Sequence, residues 1–386
     1  MTDIKSVSAT PKKQRDSNLE LFRIITMLLI IAHHYVVNSG LLLGEGAPIY
    51  ADPLSWRSLF LLLFGAWGKT GINCFILITG YFMCRSTISA KKFAKLFDAL
   101  MFYKITVYLI FLLSGYMPFT LKSFVKSLLP FTGITQNFTG CFLVFFLCIP
   151  FLNTLIHNIS EKMHIRLLLI MAFTYIFFET VPFFSVDMNY VSWYAVLYLI
   201  ASYIRLYPKK IFESTKLWGV LSLVFIALSC ASVIACAWLG TRLGQNMAYL
   251  FVTDSNTLLA VGTGLSSFMF FKNLKMKNSK FINTVAASTF GVLLIHTINY
   301  TMRTWLWSDF LKTVEMYNSK FLVIHAIGSV AAIFIVCTII DQLRIRFIEV
   351  PCFKVWDKHW NKVVLWYKNT EATLCKKLNV KEDETP

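Results

Sequence analysis

Long apolar runs alternate with short polar connections along almost the whole chain. The runs fall at 19–38, 58–83, 94–114, 139–156, 165–183, 190–206, 217–239, 247–271, 284–301 and 321–343, the one at 190–206 being the shortest. A helix needs about 20 apolar residues to cross the hydrocarbon core, so these runs predict about ten spans. Gly65, Gly68 and Gly71 interrupt the second run. No repeat of fixed period and no similarity between the two halves is visible. The fold expected is all-α, a polytopic membrane helix bundle.

The polar connections test that count. With the N-terminus inside, the even-numbered connections carry Arg85, Lys91, Lys92 and Lys95; Lys162 and Arg166; Arg205, Lys209, Lys210 and Lys216; and Lys272, Lys275, Lys277 and Lys280. The odd-numbered ones carry only Arg57, Lys122, Lys126, Arg242, Arg303, Lys312 and Lys320. Cytoplasmic loops are enriched in Lys and Arg, so the alternation predicts ten spans with both termini cytoplasmic. Residues 1–18 read as a basic cytoplasmic segment, 19–345 as the membrane domain and 346–386 as a basic cytoplasmic tail. No secretory signal peptide is expected, because the first run is too long for a signal h-region. In the tail, Phe353, Trp356, Trp360, Val363 and Tyr367 recur at helical spacing beside Lys354, Lys358 and Lys362. That pattern suits an amphipathic helix on the inner membrane surface, in contact with lipid. For the last fifteen residues or so, a solvated basic tail is the equal alternative.

Composition narrows the class further. The chain of 386 residues is 56% hydrophobic and 15% charged, against roughly a quarter charged in soluble domains. The formal charge of +17 is spread over short loops, which speaks for topology and against a nucleic-acid-binding face. Cys74, Cys141, Cys148, Cys230, Cys236 and Cys337 lie inside apolar runs with no Cys-x-x-Cys among them. They read as packing residues, and no metal site is expected.

An ionisable residue within a span is costly and is a functional candidate by default. The first run holds Glu20, Arg23, His33 and His34. Arg23 and His34 are eleven positions apart (34 − 23), which places them about 20° apart around a helix and roughly 16 Å apart along it. Both therefore project from one face, whereas His33 points about 100° away and suits packing. Bland readings compete. Arg23 can snorkel to the interface or pair with Glu20, and His34 can hydrogen-bond a neighbouring helix.

The segment from Glu20-Leu21-Phe22-Arg23 to His34 resembles the Arg-x10-His signature of the acyltransferase-3 family, integral membrane enzymes that acylate surface polysaccharides. Gly71-Ile72-Asn73-Cys74 through Thr79-Gly80-Tyr81-Phe82 resembles the family's second-helix motif, with Thr79 in place of the usual serine. Cys148-Ile149-Pro150-Phe151-Leu152-Asn153 is similar to its Ser-Pro-Phe-Leu-Asn block, and Phe290-Gly291-Val292 through His296 to its Phe-Gly-Ile-Tyr-Leu-Ile-His block. Glu349-Val350-Pro351 is similar to its closing Glu-x-Pro. These stretches occur in the family's order over about residues 19–351. Two features depart from the pattern. The basic pair before the third helix is Lys91, Lys92 and Lys95 rather than arginines, and lysine is a point charge without a fork. The aromatic cluster before Pro150 is thinned to Phe138 and Phe142. No hydrolase-like segment is seen in the sequence, so the chain is expected to resemble the stand-alone membrane domain.

The resemblance implies an O-acyltransferase, with acetyl as the expected group, cytoplasmic acetyl-CoA as donor and no tightly bound cofactor. The acceptor implied is a sugar hydroxyl of a cell-surface polysaccharide or its lipid-linked precursor, and the location a cell membrane. His34 would be the general base, its unperturbed pKa of about 6.5 suiting the task. Arg23, Lys92 and Lys95 would meet the donor's phosphates. Asn73 and Thr79 are candidate oxyanion donors; His296 and Glu349 fall in family blocks as possible supporting residues. An acyl-His intermediate is an open alternative to direct transfer. Outside the resemblance, a transporter or flippase for lipid-linked saccharides accounts for the same spans, although such proteins often carry internal repeats.

Overall fold

Small polar residues at the ends of the apolar runs decide where the helices begin. Ser55, Ser89, Thr120, Asn137, Ser160, Asn189, Ser214, Ser279 and Asn299 each sit one residue before a helix and accept a hydrogen bond from a backbone N–H of its first turn. Those N–H groups have no partner within the helix, so a side-chain oxygen there stabilises the start by about 1 kcal/mol.

The computed structural model describes residues 15–44, 46–131, 135, 137–182, 184 and 186–377. Its helices are α1 (Ser17–Val37), α2 (Pro48–Ala51), α3 (Trp56–Gly65), α4 (Gly68–Met83), α5 (Ala90–Leu113), α6 (Leu121–Leu128), α7 (Phe138–Asn158) and α8 (Glu161–Met171). There follow α9 (Phe178–Thr180), α10 (Tyr190–Leu206), α11 (Thr215–Leu243), α12 (Leu258–Asn273) and α13 (Lys280–Ala287). The chain continues through α14 (Thr289–Thr297), α15 (Tyr300–Thr304), α16 (Leu322–Arg344) and α17 (Val350–Lys377). No strand occurs among the described residues.

The all-helical expectation holds, and by length and composition alone fewer than ten helices qualify as spans. Among the described residues, 7 stretches are long and apolar enough to cross a membrane, or 8 if the bent pair Lys280–Thr297 and Tyr300–Asn318 is one span. Two of the expected spans fall short: α10 has 17 residues and α12 has 16. The run at 247–271 yields a short helix because residues 247–257 fold into turns and bends and helix starts only at Leu258. The run at 284–301 is not one rod, since it breaks after Thr297 and turns by 89°. In the run at 58–83, Ala66 and Trp67 part α3 from α4, although the two together still count as one 28-residue stretch.

The chain forms two units, parting between Thr338 and Ile339. In the first, α1 is the central element, packed by α3, α4, α12, α13 and α14. Met27, Ile30, Ile31, Tyr35 and Val36 of α1 are buried against Leu61, Leu62, Leu294 and Trp307, among others. A second core joins α4, α7 and α10 through Ile76, Leu77, Phe145, Trp193 and Tyr198. Asn153, from the Pro-Phe-Leu-Asn stretch, fastens that layer. Its Nδ2 donates to the carbonyls of Met83 and Ser86 at 3.2 and 3.3 Å, and its Oδ1 accepts from the Tyr198 hydroxyl.

In the second unit, Arg344 donates from Nε to Asp341 Oδ1 at 2.8 Å and meets Glu349 Oε2 through Nη1 at 3.1 Å. Pro351 lies just after a π-helical turn, Ile345–Glu349, in the continuous helical path that joins α16 to α17. Along α17, Phe353 packs against Trp356, which stacks on Trp360 with ring centres 4.9 Å apart. The side chains of Val363 and Tyr367, also expected in that stripe, lie outside the described residues.

Candidate active site

A pair of adjacent histidines near the C-terminal end of α1 is the origin of the site. His33 and His34 point to different sides, as helical geometry requires. His33 donates from Nδ1 to the Gly65 carbonyl at 2.6 Å, a carbonyl at the end of α3 that has lost its helical partner. The break between α3 and α4 makes room for this ring. A Cβ built on Gly68 would lie 2.2 Å from His33 Cγ, closer than any real contact.

His34 turns the other way, toward α14. Its Nδ1 is 3.0 Å from Nε2 of His296. His296 is wholly buried, and its own Nδ1 is 2.6 Å from the Val292 carbonyl four residues earlier. A carbonyl oxygen only accepts, so His296 Nδ1 carries the proton. In the neutral ring, His296 Nε2 is then an acceptor, and His34 Nδ1 must donate to it. The lone pair of His34 is thereby left on Nε2. Among the described residues no hydrogen bond occupies that atom, and His34 lines a cavity of about 910 Å³.

The cavity is walled by α1, α4, α5, α6, α7 and the α14–α15 bend. Four cations line it: Lys69, Lys104, Lys126 and Arg303. Lys69 Nζ donates to the Tyr190 hydroxyl at 2.7 Å, and Lys104 Nζ to the Leu129 carbonyl. Among the described residues no carboxylate lines the cavity, and none of the described His, Cys, Asp and Glu side chains form a group that could hold a metal ion.

A second, more open cavity of about 660 Å³ lies at the opposite end of α1. Arg15, Asp16, Asn18, Tyr81, Lys272 and Lys275 contribute to its wall. Tyr81 carries Arg205 beside it, the guanidinium lying over the ring at 4.4 Å and donating to the hydroxyl at 2.6 Å.

Against this geometry, a family model for an acyltransferase domain matches residues 16–341. The chain belongs to the acyltransferase-3 family. No curated protein and no solved structure gives a significant match to it.

As an acyltransferase-3 protein, the chain brings His34 and His296 of two family blocks into contact and leaves the other blocks elsewhere. Arg23 is half-buried and 3.5 Å from Glu20 Oε2, whose other oxygen lies 3.8 Å from Arg15. Arg23 lines neither cavity. Asn73 is fully engaged as a tie between helices: its Nδ2 donates to the Ser255 carbonyl at 2.6 Å and its Oδ1 accepts from Trp193 Nε1 at 2.9 Å. The Thr79 hydroxyl donates to Phe75 O on its own helix at 2.8 Å. Neither lines the cavity beside His34. Lys92 Nζ reaches Ser86 Oγ at 2.7 Å and the Thr87 carbonyl at 2.9 Å, and neither Lys92 nor Lys95 lines either of these two cavities. Glu349 holds Arg344 in the second unit.

The cavity cations were missed in the sequence. Lys69 and Lys104 lie inside apolar runs, and an intramembrane charge is itself a functional signal. Arg303 carried no such mark, because only the bend after Thr297 turns it toward His34.

Proposed function

We propose that this protein is a membrane O-acyltransferase that moves an acetyl group from cytoplasmic acetyl-CoA to a sugar hydroxyl of a cell-surface glycan or its lipid-linked precursor. The observation that carries the proposal is the hydrogen-bond chain Val292 carbonyl–His296–His34, which leaves an unprotonated Nε2 at the wall of a large cavity that four cations line. A neutral imidazole held in one tautomer is the requirement for a general base.

In the reaction, His34 Nε2 takes the proton of the acceptor hydroxyl as its oxygen attacks the thioester carbonyl. The C–S bond then breaks, and the imidazolium returns its proton to the departing CoA sulfur. His296 Nε2 accepts from His34 Nδ1 throughout and holds the ring while it is charged. This assigns His34 the catalytic role and His296 a positioning role.

The two cavities suit the two substrates. With the N-terminal end of α1 in the cytoplasm, as the distribution of Lys and Arg suggests, Arg15, Lys272 and Lys275 face the side where acetyl-CoA is found. We place the nucleotide phosphates there, with Arg23 between them and the reaction centre. From Asn18 to His34 is sixteen residues (34 − 18), roughly 24 Å of helix, a distance on the order of an extended pantetheine arm. The acceptor then comes to the cavity at the other end.

The test is acetyl transfer by purified His34→Ala. The expected result is a loss of at least a hundredfold with normal expression, since general-base catalysis contributes about 10²–10⁴-fold. A variant keeping more than about a tenth of the activity would remove the role assigned to His34.

A further inference from the structure

We infer that the acceptor is anionic, and that Lys69, Lys104, Lys126 and Arg303 form the subsite that holds its negative group beside His34. This deepens the acyl-transfer reading and rests on it for the identity of the bound molecule as acceptor. The four cations come from four separate elements, α4, α5, α6 and α15, and converge on one cavity. Their protein partners do not neutralise them. Lys69 donates to a phenol and Lys104 to a peptide carbonyl, both uncharged. Arg303 has a buried Nε with no hydrogen-bond partner. Among the described residues no Asp or Glu shares the wall.

Like charges gathered in a partly enclosed space repel one another, and a low-dielectric wall strengthens the field they project. A buried guanidinium N–H without an acceptor carries a desolvation cost that a ligand oxygen would relieve. Both costs are relieved by one event, the arrival of a carboxylate or phosphate. Further polar residues in the wall, among them Asn38, Ser127, Thr297 and Asn299, suit a sugar rather than a fatty chain. The sugar hydroxyl to be acylated would lie toward His34 and the acid group toward the cations.

The negative group has two possible sources, an acidic sugar or the phosphate of a lipid carrier. Beside the cavity, α6 exposes Leu121, Val125 and Leu128 while Ser123, Lys126 and Ser127 face the cavity, so a lipid-borne phosphate belongs among the probes.

The experiment measures acetyl transfer by the full chain in detergent to methyl glucoside, methyl glucuronide, glucose 1-phosphate and a prenyl-phosphate-linked glucose. Arg303→Gln, Lys104→Gln and Lys126→Gln are compared with the parent, and Lys320→Gln, exposed and outside the cavity, is the control. Lys126 is itself exposed, so its variant tests the idea without a folding cost. The parent should prefer the anionic sugars over methyl glucoside at least tenfold, and each cavity variant should lose most of that preference through acceptor KM. A preference for the prenyl-linked sugar assigns the charge to the carrier phosphate, and one for the glucuronide assigns it to the glycan. Equal loss of neutral and anionic acceptors would overturn the inference, as would a rise confined to the acetyl-CoA KM, which would hand the cations to the donor. If the parent transfers no acetyl group at all, the acyl-transfer reading fails. The subsite is then judged by whether methyl glucuronide or glucose 1-phosphate raises the melting temperature of the parent but not of Arg303→Gln; no rise with the parent overturns it.

Discussion

Replacing His296 should separate a positioning role from a packing role. The ring is buried, with one nitrogen 2.6 Å from the Val292 carbonyl and the other 3.0 Å from His34 Nδ1. In His296→Ala the acceptor for His34 Nδ1–H disappears, and His34 is free to rotate and to carry its proton on either nitrogen. Partners that orient a metal-bound histidine are worth about 10–100-fold, and a loss of that order here corresponds to about 1.4–2.7 kcal/mol of transition-state stabilisation. His296→Gln should recover part of this, because its amide oxygen can accept from the same Nδ1–H. His296→Lys should be worse than alanine, since an ammonium only donates and would force the proton onto Nε2. A base locked in the wrong tautomer elsewhere costs about 10⁴. The assay is kcat for acetyl transfer in parallel with thermal unfolding in detergent, so that losses of fold and of chemistry are read apart. Parent-like kcat in a stable His296→Ala would refute the relay. So would a glutamine variant no better than lysine at equal stability.

Three further outcomes follow from the packing. Gly68→Ala would place a methyl 2.2 Å from His33 Cγ; the ring must shift, at a cost of about 1–3 kcal/mol, and unchanged melting would show that the α3–α4 break tolerates more than the geometry suggests. Glu349→Gln removes a carboxylate from Arg344 and should lower stability by about 1–3 kcal/mol with kcat preserved; a stable but inactive protein would move Glu349 into the reaction. Cysteine labelling should find Lys277 on the cytoplasmic side and Lys320 on the other, and external labelling at Lys277 would reverse the sidedness assigned to both cavities.

The helical, membrane-embedded character of the chain and most element positions were readable from the sequence because both follow from local quantities. Apolar length and the distribution of Lys and Arg are summed along the chain, and lipid leaves the backbone little choice but helix. The sequence also singles out His34 as a candidate, since a titratable group in an apolar run announces its cost, and the structure places it at the wall of a cavity. The Arg23–His34 pairing inferred from helical phase was true of the helix face and not of the cavity. Phase says which residues share a side of one helix, while Glu20, three residues away, already holds Arg23. His296 and Arg303 show where local reasoning ends. Their places depend on the 89° turn after Thr297, a break that the apolar run read at 284–301 did not mark. Likewise, Asn73 and Thr79 looked like donors free for chemistry, yet their hydrogen bonds go to Ser255 and Phe75. A side chain's availability depends on what the fold brings against it, and only the tertiary structure decides that.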